Sequence, residues 1–358
     1  MAAFPVSAEA ISPEWLTDSL SPSFPGVAVS AIAITARSSG TNSNAKLAVE
    51  YQTQAGAPAT LFAKMPPDDP TQRELVRRSG MARRETGFYR DLAHTIDLRV
   101  PRAYFSEYEE ASGDFLVLIE DLDAAGCSFP GPGDGFALSD AKQAMEDLAG
   151  LHLSHFTDES LREKTAWIGP PTRLKEYGVG MLEVALQHCR AALSDEFADL
   201  AQLYAEHHDA AHDVWEQGAW TIIHGDCHWG NLFLDRGRIG FLDWGLMATM
   251  PGLRDVSFFL CLGLTVEGRR RHERGLIATY LECVKRGGGP EMSEDVAWEQ
   301  HRLHAAYTVP ASAPAAVYDL IKDKSDFDPA VVAEFMRRST AAITDLHSLE
   351  ALRSQIAP

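Results

Sequence analysis

The chain has 358 residues with 45% hydrophobic and 23% charged side chains, a globular balance over a length that holds one large domain or two lobes, which excludes disordered and fibrous classes. Its 51 acidic residues against 32 basic ones give a net charge of −19, the wrong sign for gathering nucleic acid or an anionic membrane surface. The five cysteines, Cys127, Cys189, Cys227, Cys261 and Cys283, are far apart and show no C-x-x-C spacing, which argues against a disulfide framework or a zinc ribbon. No window approaches the roughly 20 apolar residues of a membrane span, and the opening Met1-Ala-Ala-Phe-Pro-Val has no basic residue before its short apolar run. The expected setting is a reducing cytoplasm.

In chain order, Ser12-Pro13-Glu14-Trp15-Leu16 opens a short helix, with Ser12 as cap, Pro13 at its first position and Glu14 against its positive end. The runs 27–36, 47–52, 59–64, 103–108 and 115–120 are short, strand-like and separated by turn formers, which predicts an antiparallel sheet. One helix interrupts them over 71–92, where Leu75, Met81, Phe88 and Leu92 fit one face. Beyond the Gly- and Pro-rich loop 126–135 the patterns are helical: 139–155, 172–189, 195–217, 254–264, 268–286 and 293–307. Three short apolar strands, 221–223, 232–234 and 239–242, form a small hairpin region among these helices. The predicted fold is α+β and two-lobed, with residues 1–122 as one lobe and 123–358 as the other.

The densest polar cluster is His224-Gly225-Asp226-Cys227-His228-Trp229-Gly230-Asn231, wedged between two apolar strands, a loop anchored at both ends by core. Asn231 follows Asp226 by five positions, the spacing of the kinase catalytic loop H-x-D-x-x-x-x-N, in which the aspartate accepts the substrate hydroxyl proton and the asparagine holds magnesium. Asp243, opening Asp243-Trp244-Gly245 one hairpin later, occupies the place of the metal-binding D-F-G aspartate. Phosphoryl transfer needs this set because negative charge spreads over the moving group, so that metal at Asn231 and Asp243 neutralises it while Asp226 aligns the nucleophile.

The motifs HGDCHWGN and FLDWG resemble those of the aminoglycoside phosphotransferase and choline kinase superfamily, which has a protein-kinase-like fold, and specifically its ecdysteroid-kinase-like, CHK-type branch. The resemblance spans roughly residues 40–286. It implies a strand lysine for the nucleotide phosphates, Lys64, and a helical glutamate partner, Glu85. It also implies a phosphate-covering turn at Gly40, Thr41, Asn42 and Ser43, whose small residues let backbone N–H groups approach phosphate, and a hinge at Glu120 to Leu122 whose backbone meets adenine. Asp255 is then structural, accepting hydrogen bonds from the catalytic-loop backbone, and His224 orients that loop.

The implied function is an ATP- and Mg2+-dependent phosphotransferase acting on a hydroxyl of a small organic molecule. Relatives phosphorylate aminoglycosides, choline, macrolides, steroids or hydroxyacyl compounds, and the sequence selects neither an acceptor nor an oligomeric state. Two other readings stand beside it. A nucleotide-binding pseudokinase acts through partner recognition, although such proteins typically lose one of the catalytic set and all five are present here. A metal-dependent hydrolase uses His224, Asp226 and His228, which share one face if the segment is a strand. That last reading leaves Asn231, Asp243, Lys64 and Glu85 unexplained, and Gly225 and Gly230 argue for a turning loop.

Overall fold

Five strands form the N-terminal sheet: β1 (Ala28–Ser39), β2 (Ser43–Thr53), β3 (Thr60–Met65), β4 (Ala103–Tyr108) and β5 (Phe115–Glu120), all antiparallel in the order β1-β2-β3-β5-β4. This computed structural model describes residues 4–322 and 328–356, so the first three residues of the N-terminal stretch lie outside the described residues. Central β3 carries Lys64 opposite Asn44 of β2 and Val117 of β5, a place where backbone pairing on both sides fixes its direction. Helix α1 (Pro13–Leu20) is capped by Ser12, whose hydroxyl accepts from Trp15 N at 3.2 Å. Its Leu16 and Leu20 pack with Leu47, Leu61, Leu116 and Leu118 of the sheet.

The helix expected over 71–92 is broken. Asp69 caps α2 (Pro70–Ser79), Gly80 turns in the left-handed region at φ 72, and α3 (Met81–Gly87) starts again and runs into a wider turn over Phe88–Leu92. Glycine adopts that conformation without the Cβ penalty, so the chain changes direction there.

The chain divides into two compact units, residues 1–128 with 240–246, and residues 129–239 with 247–358. The stretch 240–246, which includes Asp243, thus packs with the first unit, whereas the sequence reading put it with the C-terminal lobe. Phe241 N donates to Arg99 O at 2.9 Å, and the Trp244 ring stacks on Phe88 with centroids 3.7 Å apart and planes within 5°.

The second unit is mainly helical. Its longest members are Leu138–Thr157, Lys175–His188, Val266–Arg286 and Pro329–Asp345. The helix expected over 195–217 is two, Asp195–Glu206 and His208–Trp215, with the break at His207. β6 (Trp220–Ile223) pairs antiparallel with β9 (Ala248–Pro251), a strand the sequence pattern did not indicate, and β7 (Leu232–Asp235) pairs with β8 (Arg238–Phe241). Phe197, Leu200, Trp215, Ile343 and Leu352 centre one core of this unit, and Phe258, Leu262 and Ala342 a second.

Candidate active site

In the first unit, Lys64 lies 6% exposed on β3, with Nζ 2.5 Å from Glu85 Oε1 of α3 and 3.4 Å from Asp243 Oδ2. Burial works against the Lys64 charge, but Asp243 and Glu85 outweigh it and raise its pKa above the ordinary lysine value. The ammonium is thereby fixed as a cation between two carboxylates. Glu85 is 1% exposed, while the Asp243 side chain is 37% exposed. Asp243 takes a left-handed backbone at φ 64, an uncommon conformation for a residue with a Cβ, though aspartate tolerates it better than most. The stacked Trp244 and Phe88 rings hold the next residue in place and over-determine that turn.

Gly40, Thr41 and Asn42 form the connection between β1 and β2, and Ser43 opens β2 facing Ser39 in register. Gly40 N donates to Asn42 O at 3.1 Å, and Gly40 O accepts from the Gln72 side chain of α2. A Cβ at Gly40 would meet nothing within 4 Å, so packing does not demand glycine there. At the end of β5, Glu120 takes Arg99 in a two-pronged ion pair at 3.0 and 3.1 Å, and its amide donates to Arg102 O. Leu122 O accepts from Cys127 N at 3.0 Å. The Glu120 side chain is therefore a tether for Arg99.

In the second unit, the loop after β6 is built on Asp255, which is wholly buried in helix Leu253–Phe258. Its carboxylate accepts from His224 N at 2.6 Å and Gly225 N at 2.8 Å, and lies 3.4 Å from His152 Nε2. His152 Nδ1 is in turn 2.9 Å from the Tyr280 hydroxyl. His224, with no exposed surface, accepts from Asp226 N through Nδ1 at 3.1 Å, and Gly225 takes φ 86. Loop curvature is thus set by one buried carboxylate, one imidazole and one glycine. His152 and Tyr280 were not singled out from sequence, because they sit on distant helices with no motif around them.

Above that base, Asn231 Nδ2 donates to Asp226 Oδ2 at 2.8 Å and to Asp226 O at 3.1 Å, so the five-residue spacing does bring the two side chains together. The Asp226 side chain is 24% exposed. Burial drives the Cys227 thiol well above its ordinary pKa, which keeps it protonated as a small core filler. His228 Nδ1 accepts from Gly230 N at 3.0 Å, and its Nε2 lies 3.6 Å from Asp226 Oδ2. Among the described residues no group of three or more His, Cys, Asp or Glu side chains is placed to hold a metal ion. His224 and His228 both turn Nδ1 onto loop backbone, which commits one nitrogen of each ring to holding the turn.

The family model for the Phosphotransferase enzyme family matches residues 35–294. Among solved structures, the chain is similar to the GDP complex of an aminoglycoside 2'-phosphotransferase-IIIa, at 14% identity over 94% of this chain and 99% of that one, with a TM-score of 0.51. A GDP and kanamycin complex of an enzyme of that kind gives 14% identity over 92% and 98%, with a TM-score of 0.50. A choline/ethanolamine kinase family protein from Mesorhizobium loti gives 15% identity over 95% and 99%, also at 0.50. Identities this low express likeness of fold. No curated protein matches the sequence.

Proposed function

The chain belongs to the phosphotransferase enzyme family, with the two-lobed fold of aminoglycoside phosphotransferases and choline kinases, and from that premise we propose that it moves the γ-phosphate of Mg-ATP to a hydroxyl of a small organic molecule. The observation that carries this reading is the Asp226–Asn231 contact on a loop whose backbone is locked by Asp255. The nucleotides in the GDP complexes of its structural relatives support a nucleotide donor, and the choice of ATP is part of the proposal.

Asp226 acts as the base. Asn231 engages Oδ2, which leaves Oδ1 to accept the acceptor's hydroxyl proton and to hold its oxygen in line for attack. Lys64, fixed by Glu85 and Asp243, binds the α- and β-phosphates as a buried cation that needs no reorganisation. The β1–β2 connection at Gly40 to Asn42, with Ser43 after it, covers the phosphates. With the Glu120 amide and the Leu122 carbonyl already bonded within the chain, adenine recognition falls to the Glu120 carbonyl and the Leu122 N–H.

The donor set suits magnesium. Asn231 gives its amide hydrogen to Asp226 and keeps a carbonyl oxygen, and Asp243 offers a partly exposed carboxylate, so both groups present hard oxygen. Bound magnesium would screen the charge spreading over the γ-phosphoryl oxygens.

The test is release of ADP from Mg-ATP across hydroxylated acceptors, comparing wild type with Asp226→Asn. The variant should bind Mg-ATP normally and lose at least about 10²-fold in turnover. Unchanged turnover would remove Asp226 from its role. Nucleotide binding with no transfer by the wild type to any acceptor would favour the pseudokinase.

A further inference from the structure

We propose that His228 is a positioning residue for the base: its Nε2–H supports Asp226 Oδ2 together with Asn231, so that the carboxylate keeps one orientation and Oδ1 alone is left for the acceptor hydroxyl. This inference rests on the reading of Asp226 as the base.

The proton on His228 is placed by the ring's backbone partner. Gly230 N donates to Nδ1 at 3.0 Å, and a ring nitrogen that accepts carries no hydrogen, so the ring proton sits on Nε2. That nitrogen lies 3.6 Å from Asp226 Oδ2. The separation is beyond a hydrogen bond, but contacts around a catalytic base are often long before substrate binds and tighten with it. Oδ2 also accepts from Asn231 Nδ2 at 2.8 Å, yet that amide is shared with Asp226 O at 3.1 Å. The terminal torsion of a carboxylate is broad and roughly two-fold, so one shared donor sets its plane loosely. A second donor to the same oxygen fixes the plane and the choice of oxygen together.

The ring itself has little freedom. A Cβ at Gly230 would lie 2.8 Å from His228 Cε1 and 3.1 Å from Nδ1, so glycine is what lets the backbone come this close. Phe335, from helix Pro329–Asp345, meets the His228 ring edge-to-face at 5.1 Å between centroids, and Trp229 does so at 5.9 Å. Trp229 is buried in turn, with the Arg338 guanidinium 4.3 Å from its ring centre. A polar group fixed by packing and backbone beside a reacting one acts without reorganisation.

His224 supplies the contrast. Its Nδ1 does the same backbone work, accepting from Asp226 N at 3.1 Å, but its ring has no exposed surface. The His228 side chain is 20% exposed beside an Asp226 side chain that is 24% exposed, and it is the histidine of the two whose second nitrogen comes within ion-pair range of the base. During transfer the acceptor's O–H proton passes to Oδ1 as its oxygen bonds phosphorus and the bond to the departing diphosphate breaks. Nε2 keeps its proton throughout, and Asp226 returns the one it gained to solvent after product leaves.

Two amide variants separate the two nitrogens. His228→Asn keeps an acceptor where Nδ1 stands and loses the donor at Nε2, whereas His228→Gln reaches the Nε2 position with an N–H and gives up the Nδ1 acceptor. Both are compared with wild type for ADP release from Mg-ATP with the best of the hydroxylated acceptors, for Mg-ATP affinity and for melting temperature. His228→Asn should lower kcat by about 10-fold and leave both KM values within about twofold, with little change in melting temperature. His228→Gln should recover most of that kcat while melting lower. Histidine-labelled NMR of the wild type, with the His228 signal identified by its loss in either variant, should show the Nε2–H tautomer. Wild-type kcat in His228→Asn, equal losses of kcat in the two variants, or an Nδ1–H tautomer overturns the role of His228 while Asp226 stands as the base. A wild type that binds Mg-ATP and transfers to no acceptor overturns the phosphotransfer reading itself, and the role of His228 with it.

Discussion

Asp255→Asn keeps the volume of a fully buried side chain and removes its charge. The carboxylate accepts from two backbone N–H groups, at 2.6 and 2.8 Å, and faces His152 at 3.4 Å. A carboxamide has one acceptor oxygen, so satisfying His224 N–H turns an NH2 donor toward Gly225 N–H, or the reverse, and one buried donor is left without a partner. Hydrogen bonds to a charged group contribute about 1.5–3 kcal/mol each, and an orphaned buried donor costs about 1–3 kcal/mol. The expected loss is about 3–5 kcal/mol, read from guanidinium unfolding followed by tryptophan fluorescence. Turnover should fall with it, because the backbone that aims Asp226 is anchored there. Acidity gives an independent check. Burial opposes charge on Asp255, but His152 and the Gly225 amide overcome it and hold the carboxyl below its ordinary 3.8. A carboxyl whose folded value lies below its unfolded one contributes fully above about pH 4, and that contribution drains away as pH falls through the folded value. The gap between wild type and variant should therefore narrow in acid. A loss under about 1 kcal/mol at pH 7, or a gap that stays constant below pH 4, would refute the assignment.

Two further outcomes follow from the same geometry. Glu85→Gln leaves buried Lys64 with Asp243 alone at 3.4 Å; it should cost about 2–3 kcal/mol, less than the usual 3–5 for breaking a buried pair because one partner remains, and should raise the KM for Mg-ATP, whereas an unchanged KM would separate the ion pair from nucleotide binding. Gly252→Ala places a Cβ 2.6 Å from the Tyr280 hydroxyl and 2.7 Å from His152 Nδ1; it should lower the melting temperature by an amount equivalent to about 1–3 kcal/mol, and calorimetry showing no shift would mean that the two side chains yield freely.

The local devices were legible in the sequence, and the long-range ones were not. Alternating strands, the Ser12 cap and the Asp226–Asn231 spacing are written within a few residues, so propensity and motif reasoning reach them. The break at Gly80 was also written locally, as a glycine between two arginine-rich helical turns, and was overridden by the continuous apolar periodicity of 71–92. His207 carries no glycine or proline beside it, so only packing sets that break. β9 is four residues long and pairs with β6 across the whole catalytic segment, a partnership no local pattern encodes. The contact of Lys64 with Asp243 joins positions 179 apart in the chain, and His152 meets Asp255 while Tyr280, from another helix, meets His152. Such contacts follow from tertiary packing, which overrides local preference; the Lys64–Glu85 pair and the Asp255 anchor, equally long-range, were legible through the family resemblance.

The placement of 240–246 in the first unit has a consequence for how the protein is made. Synthesis delivers all five strands of the sheet by Glu120, and domains generally fold as units as they emerge. Here the N-terminal unit stays unfinished until residue 246, because the ring that covers Phe88 and the second carboxylate beside Lys64 both come from that late segment. A fragment ending at Ser128 would contain the whole sheet and still present a bare aromatic face and a half-paired buried lysine. Truncations intended to isolate the N-terminal unit must therefore supply 240–246, by fusion or as a separate peptide, to recover its native stability.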